Sequence, residues 1–139
     1  MKRTKLINSE ISYVLAKLGH FDSIVICDAG LPIPPGVQRI DLAVSEGVPS
    51  FMEVIKAVVS EMEIDSVDLA EEFKEVSPKL HYELVGFLNG IGEDRKKEIP
   101  VEYMMHERFK ECTAKCITVI RTGEFTPYAN VIIKSGVVF

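Results

Sequence analysis

The chain has 139 residues, 47% apolar and 27% charged, with a net charge of −5. That length suits one domain with a core of its own, and the acid excess argues against a nucleic-acid binder. The one basic cluster, Arg95-Lys96-Lys97, is flanked by Glu93, Asp94 and Glu98 and lacks interleaved aromatics, so it reads as a solvated loop.

Taken in chain order, Ile11, Val14, Leu15 and Leu18 have helical spacing, with Asn8 or Ser9 as cap and Gly19 as stop. The start MKRTK meets only two apolar residues before polar ones, so no signal peptide is expected. Ser23 to Cys27 is a β-branched apolar run that reads as a buried strand. DAGLPIPPG follows as loop, and RIDLAV (39–44) as a weakly alternating strand. Pro49 suits a first helical turn, with Phe51, Val54, Ile55, Val58 and Val59 as the apolar stripe up to Met62. Residues 64–69 alternate as a strand. Ser77-Pro78 opens another helix, striped by Leu80, Leu84, Phe87 and Leu88, with His81 on its surface. GIGEDRKKE is expected as a charged loop, 101–105 as a strand, 106–115 as a short helix, and 117–120 and 129–133 as strands.

This alternation predicts an α/β fold: a three-layer α/β/α domain over residues 1–139 with a mostly parallel sheet of about six strands. The last two strands are joined only by RTGEFTPY, too short for a helical crossover, so they are expected to be antiparallel or apart in the sheet. Nowhere do ~20 apolar residues run together, so no membrane-spanning helix is expected. Three cysteines (Cys27, Cys112, Cys116) without a disulfide framework or a metal-ligand pair point to a reducing cytoplasm and no metal site.

Ligands of open α/β sheets settle beyond the carboxyl ends of the strands. Those ends carry Asp28, Glu71, Glu72, His106 and Arg121; His20 joins them only if the first helix ends at the same rim. Each residue has a plainer role available. His20 can sit on a helix dipole, Asp28 can cap a turn, and His106 can be a surface helix residue. Together, two imidazoles and a carboxylate supply acid and base near neutral pH. No GxGxxG, GxxxxGK[ST], HExxH or GxSxG occurs, so the expected chemistry is proton transfer on a small polar molecule without a cofactor. Tyr128 and Asn130 alternate into the last strand, offering a flat ring and a donor–acceptor amide suited to sugar hydroxyls; a core-edge tyrosine is the alternative.

Leu18-Gly19-His20, VICDAGLP (25–32), GVPSF (47–51), His106-Glu107, RTGEFTPYAN (121–130) and the final GVVF together resemble the ribose pyranase and fucose mutarotase family, along the whole chain. The resemblance implies interconversion of the pyranose and furanose forms of D-ribose, with His20 as the proton donor. It implies that Asp28, His106 and the Tyr128-Ala129-Asn130 segment bind the sugar. It further implies a homo-oligomer, a decamer of two pentameric rings with sites at subunit contacts. The fucose branch tends to carry D-A-N-F-P where this chain has Asp28-Ala29-Gly30-Leu31-Pro32, so the ribose branch fits better. A fucose-type mutarotase and a non-catalytic sugar-binding accessory protein of a ribose uptake system are the alternatives.

Overall fold

The computed structural model describes all residues, Met1–Phe139. Its strands are β1 (Ser23–Cys27), β2 (Gln38–Asp41), β3 (Ile64–Ala70), β4 (Val101–Met104), β5 (Thr118–Arg121) and β6 (Val131–Ser135). Its helices are α1 (Ser9–Leu15), α2 (Phe51–Val59), α3 (Glu71–Val76), α4 (Pro78–Arg95) and α5 (His106–Thr113). One sheet runs β2-β5-β1-β6-β3-β4. β2, β5 and β1 are parallel, β3 and β4 are parallel, and β6 runs against both β1 and β3. The mixed, mostly parallel sheet is therefore as expected, and the last two strands are not neighbours: β1 lies between them.

β1 explains its own apolar run. Ile24 and Ile26 face one layer while Val25 and Cys27 face the other, and all four are fully buried. The larger core lies between the sheet and α1 to α4, and includes Phe51, Ile55, Phe73, Leu84 and Leu88. Each such side chain contributes roughly 1.5–3 kcal/mol by leaving water. The opposite face carries only α5 and the loop after β1, which bury Leu31, Phe109 and Cys116 over Val25, Cys27, Val119 and Ile132. Beside α5 that face turns polar. Lys134 reaches buried Asp68 at 2.8 Å and Glu102 at 3.3 Å, compensating an acid that burial alone would disfavour.

Several elements differ from the sequence reading. α1 stops at Leu15 and two turn hydrogen bonds, Lys17 to Val14 and Leu18 to Leu15, carry the chain on, so Gly19 is not its stop. Pro49 precedes α2; Ser50 is the N-cap and forms a reciprocal box with Glu53. α3 begins directly on β3, a six-residue helix too short to show a period. GIGEDR is helical, because α4 runs to Arg95. Its end needs Gly92: a Cβ there would meet the Lys97 carbonyl at 2.7 Å.

In the basic cluster, Lys96 and Lys97 are exposed in a turn as expected, whereas Arg95 is packed at the end of α4. The Arg95 guanidinium donates to the Val59 carbonyl at 2.8 Å and the Met62 carbonyl at 2.9 Å, and pairs with Glu63, which closes the C-terminus of α2. His81 is likewise partly covered rather than fully exposed. Its Nε2 lies 2.7 Å from the Tyr103 hydroxyl and its ring meets the edge of buried Phe73. Burial, and then the nearby Lys74 charge, hold its pKa below the ordinary histidine value.

Candidate active site at the carboxyl end of the sheet

Asp28 follows the last residue of β1, and Asn130 precedes the first residue of β6. Because β6 runs antiparallel to β1, these two positions meet at one rim. They hold each other reciprocally. The Asp28 backbone N–H donates to the Asn130 side-chain oxygen at 2.9 Å, and the Asn130 amide donates to Asp28 Oδ2 at 3.0 Å. Gly30 N–H supplies a third bond to Asp28 Oδ1 at 2.9 Å. Asn130 is 1% exposed, and its backbone N–H donates to the Tyr128 carbonyl at 2.8 Å. Burial pushes the Asp28 carboxyl above the ordinary aspartate value, against the lowering pull of the Gly30 and Asn130 hydrogen bonds. Cys27, next in the strand, is pushed up to about 12 by burial and then by the Asp28 charge. It is packing, not a nucleophile.

The loop from 122 to 130 is anchored at many points. Thr122 Oγ1 donates to the Cys27 carbonyl at 2.7 Å and accepts from Glu124 N–H. The Glu124 carboxylate accepts from the N–H of Phe51, the first residue of α2, and from Thr126 Oγ1. Its backbone carbonyl accepts from Ala29 N–H at 2.8 Å, joining this loop to the one after β1. Ser77 Oγ, whose hydroxyl makes no cap on α4, donates to the Pro127 carbonyl at 2.8 Å. Gly123 packs so tightly that a Cβ would sit 2.5 Å from the Ser45 carbonyl and 2.6 Å from Val48 N. No other residue fits there.

The result is a pocket of about 260 Å³ lined by Asp28, Gly30, Leu31, Pro32, His106, Pro127, Tyr128 and Asn130. Tyr128 has φ 62°, which costs a non-glycine residue about 1 kcal/mol or more. That turn presents its ring edge-on to His106, with centroids 4.9 Å apart. Simple strand alternation does not bring Tyr128 and Asn130 to one side, since β6 starts only at Val131; the left-handed turn does. Ala129 is fully buried behind the rim, with its N–H on the Thr126 carbonyl. Arg121 lies alongside: its Nε donates to the Ala29 carbonyl at 3.1 Å and its Nη1 pairs with Asp41. Sequence reasoning passed over Glu124 and Thr122 as site supports, although both lie inside the quoted motif.

His20 is elsewhere. It precedes β1, whereas Asp28 follows it, and the five residues of β1 alone span about 16 Å. The helix that was to bring it to the carboxyl rim ends five residues earlier. His20 sits in a turn in which Phe21 has φ 67°, and its ring stacks on Phe21 at 3.8 Å. Its Nε2 lies 3.6 Å from Asp65 Oδ1, and its side chain is 44% exposed. Within one copy of the chain, His20 and the Asp28 pocket stand at opposite ends of the sheet.

The mixed six-stranded sheet with Asp28 and Asn130 paired at its carboxyl rim is an α/β fold, and the comparisons place it in a family. The chain belongs to the RbsD / FucU transport protein family, whose model matches residues 1–138. It is 62% identical over 139 residues to the D-ribose pyranase of Maridesulfovibrio salexigens and 54% identical to that of Aliivibrio fischeri, each covering all of both chains. Among solved structures it is similar to Bacillus subtilis RbsD complexed with D-ribose, with TM-score 0.90, 42% identity and full coverage of both chains. It also resembles the fucose mutarotase of Streptococcus pneumoniae in complex with L-fucose, with TM-score 0.80, 26% identity and full coverage. No helix is long and apolar enough to cross a membrane.

Proposed function

We infer that this chain is an isomerase that interconverts the pyranose and furanose forms of D-ribose, as the resemblance to D-ribose pyranases implies. The observation that carries the reading is the reciprocal Asp28–Asn130 pair, beside His106 and Tyr128, in a pocket of monosaccharide size. After taking the Gly30 N–H and the Asn130 amide, the Asp28 carboxylate keeps lone pairs for sugar hydroxyls. The Tyr128 ring gives the sugar's C–H surface a flat apolar wall.

The reaction is ring opening and reclosure. A proton goes to the ring oxygen as its bond to C1 breaks, the anomeric hydroxyl loses its proton, and a different hydroxyl then adds to the aldehyde. His20 is the proton donor in this reading, and a carboxylate or water takes the anomeric proton. Since His20 lies at the far end of the sheet from the pocket, it is the His20 of a neighbouring copy that meets the sugar. A ring-shaped homo-oligomer, a decamer of two pentamers in the cytoplasm, is the assembly this reading carries. A head-to-tail contact of that kind closes into a ring and joins opposite ends of adjacent subunits.

The test is magnetisation-transfer NMR on equilibrated D-ribose with wild type and His20→Ala. The expected result is faster pyranose–furanose exchange with wild type, falling by roughly 10²- to 10⁴-fold in the variant while ribose binding persists. An unchanged rate in the variant removes His20 from the mechanism. Acceleration of L-fucose anomer exchange alone moves the chain to the fucose branch, and saturable binding without exchange makes it a binding protein.

A further inference from the structure

Glu72 lies outside the sugar pocket and is absorbed by none of the roles above. β3 and β4 are parallel with Ala70 opposite Met104. Two residues beyond each strand, Glu72 therefore arrives beside His106. Both oxygens of its carboxylate accept the His106 backbone N–H, at 2.9 and 3.2 Å. That N–H is the first of α5, a helix whose own cap residue, Met105, gives no side-chain hydrogen bond. Glu71 turns away to pair with Lys74, so Glu72 alone serves α5.

The His106 ring is clamped as well. It stacks over Phe109 with the planes at 13° and takes the edge of Tyr128 at 83°. Its Nδ1 is buried and makes no hydrogen bond. An orphaned buried N–H is rarer and costlier than an under-used lone pair. The neutral ring is thus the Nε2–H tautomer, with Nε2 the only nitrogen left to face a ligand.

We propose that Glu72 is a positioning residue: by holding the first N–H of α5 it fixes His106 so that Nδ1 is sealed in protein and Nε2–H alone is offered to a sugar oxygen as a donor. This rests on the pocket being the ribose site, and it divides the labour there. His106 donates and Asp28 accepts.

Two measurements on the full-length assembly test it. The first is the ¹⁵N spectrum of the His106 imidazole in the protein without sugar. Wild type is expected to show a protonated Nε2 and a bare Nδ1, and Glu72→Ala is expected to move the two signals toward each other. The second is exchange kinetics with D-ribose. Glu72→Ala is expected to raise KM roughly tenfold with kcat within about threefold, and Glu72→Gln, which keeps an acceptor oxygen, to restore KM. His106→Gln, whose amide reaches the Nε2 position, is expected to bind ribose about tenfold better than His106→Asn, whose amide sits at the Nδ1 position. A protonated Nδ1 in wild type, identical spectra in Glu72→Ala, or an asparagine variant that outperforms the glutamine one overturns the proposal. If wild type shows no ribose exchange, the functional reading fails while the nitrogen spectra still decide what Glu72 does to the ring.

Discussion

The two ends of the sheet are built differently. At the carboxyl end, Asp28 and Asn130 hold each other by two hydrogen bonds, and the loop that carries Tyr128 is tied to α2, α4 and β1. At the amino end, His20 projects from a turn with one stacked ring and one long ionic approach to Asp65. The difference teaches that the proposed binding groups and the proposed proton donor have different supports. A pocket that must orient hydroxyls needs fixed partners before the sugar arrives. In the proposed reading, a proton donor completed by a neighbouring copy can stay exposed until the contact forms.

The strongest way to break that comparison is to separate the two ends genetically. His20→Ala and Asp28→Ala are each expected to abolish most exchange alone. Co-expressed in one assembly, they are expected to restore roughly a quarter of wild-type turnover, the statistical share of contacts between two intact halves in a head-to-tail ring. Magnetisation transfer on the purified mixture reads this directly. No recovery would place both residues of each site in a single copy.

Next in size is the rigidity of the carboxyl end. Gly123→Ala drives a methyl group into the backbone of Ser45 and Val48. It is expected to cost at least 1–3 kcal/mol in urea unfolding. His20→Ala, on an exposed turn, is expected to stay within about 0.5 kcal/mol of wild type in the same assay. Equal losses would erase the contrast.

Asn130→Ala leaves the Asp28 N–H without its acceptor in the interior. The expected cost is roughly 1–3 kcal/mol of stability, with ribose affinity weakened about tenfold or more by calorimetry. An unchanged affinity would mean that Asp28 does not depend on its partner.

The smallest effect concerns His81, packed behind the same rim against Tyr103. Its pKa lies below the usual value, so the unfolded chain binds that proton more readily. Stability from this group is present above about pH 6.5 and is lost as pH falls through the lower folded-state value. The slope is at most about 1.4 kcal/mol per pH unit, and less after solvent screening. Urea midpoints from neutral to mildly acid pH are expected to fall less steeply in His81→Phe than in wild type.

How far the sequence reaches can be seen residue by residue. The run SIVIC, buried on both faces, is legible because β-branched apolar residues without alternation have one stable home in an α/β fold. The stripe of α2 and the Asn8 cap of α1 are local facts, and each appears where spacing put it. The motifs carry the family, since they lie in order along the whole chain. What lay beyond reach depended on neighbours distant in sequence. Arg95 looked like solvent-exposed charge until the ends of α2 and α4 came together. His81 looked exposed until Phe73 and Tyr103 packed on it. Tyr128 reaches the pocket by a left-handed turn, which alternation does not predict.

By itself, then, the sequence determined the layer order, most of the elements and the set of candidate site residues. Only the tertiary structure decided which of them share an end of the sheet. Local periodicity records whether a side chain is buried, but not which strand lies beside it. The antiparallel entry of β6 next to β1 brings Asn130 to Asp28 and leaves His20 at the other end of the sheet.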